Sequence, residues 1–162
     1  MGDRVNRGKQ FEGQIESALH AVEDTAVIRL YDPQGGYAGV SNICDFIAYH
    51  YPTQFILECK SCYGNTLSIH SNSPKNLYGA ISNTQWTGML DASAVDGVTA
   101  GVLVWFIDHD VTLFYPIQTL QSFRLSGKKS VNIRTDREFG IEIPGTKKRI
   151  LFEYDLEKFI KG

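Results

Sequence analysis

The run Phe55-Ile56-Leu57-Glu58-Cys59-Lys60 places an acid and a base one residue apart in a segment otherwise built to be buried. Side chains of an extended strand alternate faces, so Glu58 and Lys60 point to one side and Cys59 to the other. A second strand-like run, Ile43 to Tyr51, carries Asp45 near its start, and the turn-like Tyr51-Pro52-Thr53-Gln54 predicts that the two runs pair as a hairpin. Pairing brings Asp45 beside Glu58. Two carboxylates and an ammonium then meet at one end of a sheet, where unpaired charge is costly unless something compensates it.

That set of groups suits phosphodiester hydrolysis. Two carboxylates hold one or two Mg²⁺ ions, with Mn²⁺ as a substitute, through hard oxygen ligands at about 2.0–2.1 Å. Such ions make water nucleophilic and neutralise phosphate charge, and a neighbouring lysine supports the transition state. The bland alternative is a solvated surface pair, which contributes little. The apolar flanks of Glu58 and Asp45 argue against it. A zinc site on Cys59-x-x-Cys62, completed by Cys44 and His50 or His70, is the weaker reading, because no second close Cys/His pair exists. His20 and His109 have no ligand-spaced partner and read as surface or packing residues.

A length of 162 residues with 43% hydrophobic side chains suits one domain, 1–162, that packs a core without disulfide staples. Three cysteines, an odd number, fit a reducing compartment. No apolar window is long enough to span a bilayer, and Met1-Gly2-Asp3-Arg4 lacks a signal-peptide core, so a soluble, cytoplasmic protein without membrane partners is expected. The net charge of −2 does not advertise nucleic-acid binding, but its distribution does. Residues 11–60 hold seven acidic and two basic side chains, whereas 124–149 hold eight basic and three acidic ones. An acidic metal site with a basic tract elsewhere is what a DNA-cleaving enzyme needs, since lysine and arginine supply the phosphate attraction. Lys128, Lys129 and Arg134 are the candidate DNA contacts in that tract.

Apolar residues at helical spacing, Phe11, Ile15, Ala18, Leu19 and Val22, predict a first helix over Gly8 to Val22, with Glu12 beside the stripe. A strand over Ala26 to Tyr31, a loop opened by Asp32-Pro33-Gln34-Gly35-Gly36, and the hairpin follow. Residues 61–83, rich in Ser and Asn, read as a long polar connection, mobile near the site. A second helix is expected over Thr84 to Ala94, ended near Gly97, then strands Thr99 to Ile107 and Val111 to Tyr115, a short helix Ile117 to Leu125, a last strand around Ile150 to Tyr154 and a helical turn. The fold class is α/β or α+β, with a central mixed sheet flanked by helices.

With these residues in place, the chain resembles the PD-(D/E)XK nuclease superfamily and, within it, the RecU-type Holliday junction resolvases. Asn6-Arg7-Gly8 with Glu12 is similar to that family's opening Asn-Arg-Gly helix and its glutamate. Asp45 stands thirteen positions before Glu58, as in the family, and Lys60 completes the triad. Gln85 looks like its His-Gln position, and Gly127-Lys128-Lys129-Ser130 and Gly140-Ile141-Glu142-Ile143-Pro144 are similar to its C-terminal stretches.

The resemblance implies a restriction-endonuclease-like fold and a Mg²⁺-dependent endonuclease that cleaves four-way DNA junctions in recombination and repair. It further implies metal contacts from Asp45, Glu58, the Cys59 carbonyl and Gln85, a catalytic Lys60, an outer contact from Glu12 and a phosphate contact from Arg7. Two symmetric nicks need two sites, so a homodimer is expected; both faces of the strand Val102 to Ile107 are apolar. A nuclease of duplexes or flaps and a catalytically silent DNA-binding module are the alternatives. Three departures stand out. Ile43 occupies the place of a hydroxyl residue two before the aspartate, the family's protruding stalk is reduced to about a dozen residues from Asp32 to Ile43, and the segment between Lys60 and Gln85 is longer than usual.

Overall fold

The computed structural model describes residues 6–31, 42–149 and 151–162. Its first helix, α1 (Arg7–His20), starts where the Asn6 side chain accepts the Lys9 amide, and its stripe of Phe11, Ile15, Ala18 and Leu19 is buried. Strand β1 (Ala26–Arg29) pairs antiparallel with β2 (Phe46–His50), which turns through a cis Tyr51–Pro52 bond into β3 (Thr53–Cys62). The predicted hairpin is therefore present, in a register that sets Phe46 opposite Leu57 and His50 opposite Thr53.

After β4 (Thr66–Ser68) comes α2 (Asn83–Ser93), one residue off the predicted bounds at each end. Gly97, at φ +84°, makes the left-handed turn that leads from this helix into β5 (Val98–Phe106). Strand β5 runs parallel to β3 and antiparallel to β6 (Val111–Pro116), to which it is joined by a 3-10 turn at Ile107–His109. Helix α3 (Ile117–Leu125), β7 (Ser130–Asn132), the single turn α4 (Ile133–Asp136), β8 (Ile141–Glu142), the hairpin β9 (Gly145–Lys148) with β10 (Leu151–Tyr154), and α5 (Glu157–Lys161) complete the chain.

The main sheet has six strands in the order β1-β2-β3-β5-β6-β8, mixed because only the β3–β5 pair is parallel. Each face of the sheet has its own core. On one, α1, α5 and β10 cover Phe46, Leu57, Cys59, Leu103 and Trp105. On the other, α2, α3 and the small β4–β7 sheet cover Ile56, Val102, Val104 and Phe106. The apolar character of β5 on both sides is thus accounted for by burial between two helical layers.

The polar connection after β3 departs from the expected mobile loop and forms a packed cover: β4 pairs with β7, Leu67, Ile69 and Ile81 are buried, and Tyr78 stacks on Trp86 with ring centroids 4.5 Å apart. The Arg124 guanidinium sits over the Tyr78 ring and donates to the Ile69 and Leu77 carbonyls, tying the segment to α3. Three apolar residues scattered among serines and asparagines carry no periodicity, which is why the sequence reads as a loop. The reduced stalk segment lies, over 32–41, outside the described residues; Asn42, at its end, donates to the Tyr31 carbonyl.

Candidate metal centre and nucleic-acid interface

Asp45 sits one residue before β2, and its amide donates to the carbonyl of Leu57, the residue that Phe46 already faces; this holds Asp45 against β3 where the regular ladder ends, with its carboxyl in hydrogen-bond reach of Glu58. Beyond that point the chain leaves the sheet. The far half of β3, Cys59–Cys62, therefore has no β2 partner on that edge. The Asp45 carboxylate caps the break by accepting the Cys59 amide through Oδ2 at 2.8 Å. In a strand the N–H and C=O of one residue point the same way, so the Cys59 carbonyl also faces this edge, which has no strand partner among the described residues.

Glu58 is only 2% exposed, and its Oε2 is a buried oxygen with no hydrogen-bond partner among the described residues. Burial pushes its carboxyl well above the usual carboxylate range; a hydrogen bond with Asp45 and the charges of Asp45 and Glu12 push the same way, against the favourable field of Lys60. Lys60 stands two residues on, on the same face, and forms no ion pair with any of the described residues. A buried carboxyl with an orphaned oxygen, a second carboxyl beside it and a backbone carbonyl at an open edge form an all-oxygen donor set. That chemistry fits a hard divalent cation such as Mg²⁺.

The remaining candidates fall differently. Gln85 sits in the first turn of α2, but its Oε1 accepts the Ser82 amide while the Ser82 hydroxyl accepts the Gln85 amide. Its oxygen thus serves the helix cap and keeps a second lone pair for a further contact. Glu12 pairs with Arg29 of β1 at 3.5 Å, and Arg29 also binds Glu16. Arg29, overlooked in the sequence, anchors Glu12, which still acts on Glu58 and Cys59 through its field. Ile43 packs against α2 where Gly88 leaves room: a Cβ there would fall 2.6 Å from Ile43 Cγ2. Where the resemblance called for a hydroxyl, this chain has an apolar contact that seats α2 beside the site.

The zinc alternative does not survive. Cys59 faces the α1 side of the sheet, Cys44 and Cys62 the other. Among the described residues no three His, Cys, Asp or Glu side chains converge on a metal position, and burial pushes all three thiols up, away from the thiolate that zinc needs. His109 is bonded to Asn65 at 2.7 Å.

Of the basic candidates, Lys128 has a structural partner: its ammonium pairs with Asp136, which is 2% exposed and also accepts the Asn132 amide. Lys129 and Arg134 are exposed, and Arg134 follows Ile133, whose amide binds the Asn65 carbonyl just past the end of β3. Lys128→Ala is expected to lower stability by about 1–3 kcal/mol, since it leaves a buried carboxylate without its cation, discounted for the partial exposure of the lysine. The double variant Lys129→Ala, Arg134→Ala should leave the denaturant midpoint unchanged. Its log affinity for DNA against log salt should flatten by about 0.9 for each phosphate interaction removed. An unchanged slope would place the DNA elsewhere.

No protein-family model matches this chain, and no curated protein sequence does. Among solved structures it is similar to Hjc, a Holliday junction resolvase of the archaeal hyperthermophile Archaeoglobus fulgidus, with a TM-score of 0.56 and 20% identity over 83% of this chain and 95% of that one. At that identity the likeness is one of fold: the mixed six-stranded sheet and its flanking helices have the architecture of a resolvase nuclease.

Proposed function

We propose that the protein is a Mg²⁺-dependent endonuclease that cleaves branched DNA, with four-way junctions as its substrate, and that it acts as a homodimer in the manner of the RecU-type resolvases. The observation that carries this reading is Glu58: a buried carboxyl whose Oε2 has no partner among the described residues, held against Asp45 at the point where β3 runs on past β2, with Lys60 on the same face. Such a group is a poor structural choice, because its ionised form is strongly disfavoured without a cation. The likeness in fold to a protein that is itself a Holliday junction resolvase supports the choice of substrate.

Asp45, Glu58 and the Cys59 carbonyl would hold the cation. When bound, it supplies Lewis acidity and a water activated at neutral pH. Lys60 then sets its ammonium toward the charge that grows on the phosphoryl oxygens. Two such sites on a two-fold dimer would make paired nicks on symmetric strands.

The test is cleavage of a four-way junction, a linear duplex, a flap and a single strand, each with Mg²⁺, Mn²⁺ or a chelator. The junction is expected to be cut fastest, and only with metal. Equal rates on junction and linear duplex would reduce the reading to a duplex nuclease. Binding without cleavage under every metal condition would make it a DNA-binding module.

A further inference from the structure

Past Lys60, β3 ends at the mouth of a cleft of about 390 Å³ formed with the start of α1 and the β9–β10 hairpin. Arg7, Lys147 and Arg149 bring three cations to its walls against one carboxylate, Asp110, which holds the Lys147 ammonium at 3.0 Å. The Arg7 guanidinium bonds the neutral Gln10, and neither Arg7 nor Arg149 is ion-paired among the described residues. Two full positive charges therefore remain uncompensated in a concave site. Trp105 lines it; this residue is 4% exposed and its Nε1 is a buried donor with no partner among the described residues. Tyr63, 66% exposed, stands at the rim.

An orphaned indole N–H is as unusual as an orphaned carboxylate oxygen, and it calls for the opposite ligand, an acceptor. Cations around a donor, with an exposed ring alongside, suit a phosphate that carries a base able to stack. The position narrows the ligand further. Tyr63 is the first residue beyond β3, so the cleft opens at the same end of the strand as Lys60. The cleft lies on the α1 face of the sheet and Glu58 and Lys60 on the other, so a nucleic-acid strand whose scissile phosphate lies at Asp45 and Glu58 would reach the cleft by passing round the end of β3.

We propose that the cleft is a second subsite for the nuclease's own DNA strand, in which Arg7, Arg149 and the Trp105 indole N–H take a phosphate and Tyr63 stacks on an unpaired base beside the branch point. The proposal rests on the nuclease reading and extends it. It gives selectivity for branched DNA a structural source, because a base inside a linear duplex is already stacked and cannot use Tyr63.

The experiment measures binding of a four-way junction, a duplex with a single-stranded overhang and a linear duplex in the Asp45→Asn background, which prevents cutting. Arg149→Ala should weaken binding of all three and flatten the log–log salt dependence by about 0.9. Tyr63→Ala should weaken the two substrates with unpaired bases at least about fivefold and spare the linear duplex, while Tyr63→Phe behaves as the parent. A fluorescence change at Trp105, identified by its loss in Trp105→Phe, should accompany binding of the overhang. Wild-type affinities in Arg149→Ala and Tyr63→Ala, with DNA still bound, would overturn the subsite and leave the nuclease reading intact. No binding to any DNA by the parent would sink both. A free mononucleotide that competes at concentrations equal to those of the oligonucleotide would also overturn it, by showing a mononucleotide site.

Discussion

Lys60→Ala should lower the rate of DNA cleavage at saturating Mg²⁺ by about 10²–10³-fold while leaving junction affinity nearly unchanged. Two effects of the lysine combine here, and a metal titration separates them. Lys60 provides the field that favours the ionised form of Glu58, so its loss should also raise the Mg²⁺ concentration needed for half-maximal activity. What remains at saturating metal is the charge stabilisation missing from the transition state. Lys60→Arg keeps the charge but spreads it over a planar fork, and should recover the metal dependence better than the rate. Asp45→Asn removes the carboxylate that both faces Glu58 and caps Cys59, and should abolish detectable cleavage. A Lys60→Ala enzyme that cuts at the wild-type rate once Mg²⁺ is saturating would remove Lys60 from the chemistry.

The hairpin that builds this site was legible because its two signals agree. Alternation over Phe55 to Lys60 fixed which residues share a face, and Tyr51-Pro52 fixed where the chain reverses. Together they put Asp45 beside Glu58. The helices were legible through the α1 stripe and the Gly97 stop after α2, and the two-sided burial of β5 through its unbroken apolar run. Residues 61–83 were not, because Leu67, Ile69 and Ile81 are anchors at irregular spacing whose partners on β7 and α3 lie more than forty residues away. Periodicity reports only local regularity.

Side-chain partnerships were the least legible level. Nothing in the one-dimensional pattern distinguishes Lys128, which holds Asp136, from Lys129, which does not, or reveals that the Gln85 oxygen serves a helix cap. The Asn-Arg-Gly start carried Arg7 into view as a phosphate contact, yet its companions in the cleft, Arg149 and Trp105, come from a hairpin turn and a strand distant in sequence. The hairpin that brings Arg149 there pairs Lys148 with Leu151, a two-stranded unit apart from the main sheet. Function-bearing groups of this kind converge through topology, so only the tertiary structure collects them.

In a chelator at pH 8, Glu58→Gln should be more stable than the wild type, by about 1–4 kcal/mol. Burial raises the Glu58 pKa in the folded protein above the value of about 4.3 that it has in the unfolded chain. Between those two values the unfolded chain gives up a proton that the folded protein keeps. The unfolded state then binds fewer protons, and the stability of the metal-free wild type falls as pH rises through this window. Glutamine preserves the shape and has no charge to bury, so the variant lacks that slope and the two proteins converge near pH 4. Mg²⁺ should reverse the order at pH 8, because it binds the folded wild type and raises its midpoint by RT ln(1 + [Mg²⁺]/Kd), and it should do little for Glu58→Gln. Chemical denaturation at pH 4, 6 and 8, with and without metal, reads all of this. A Glu58→Gln protein that is less stable than wild type in chelator at pH 8 would mean that Glu58 is held by structural partners, and the case for a cation at this edge would lose its strongest support.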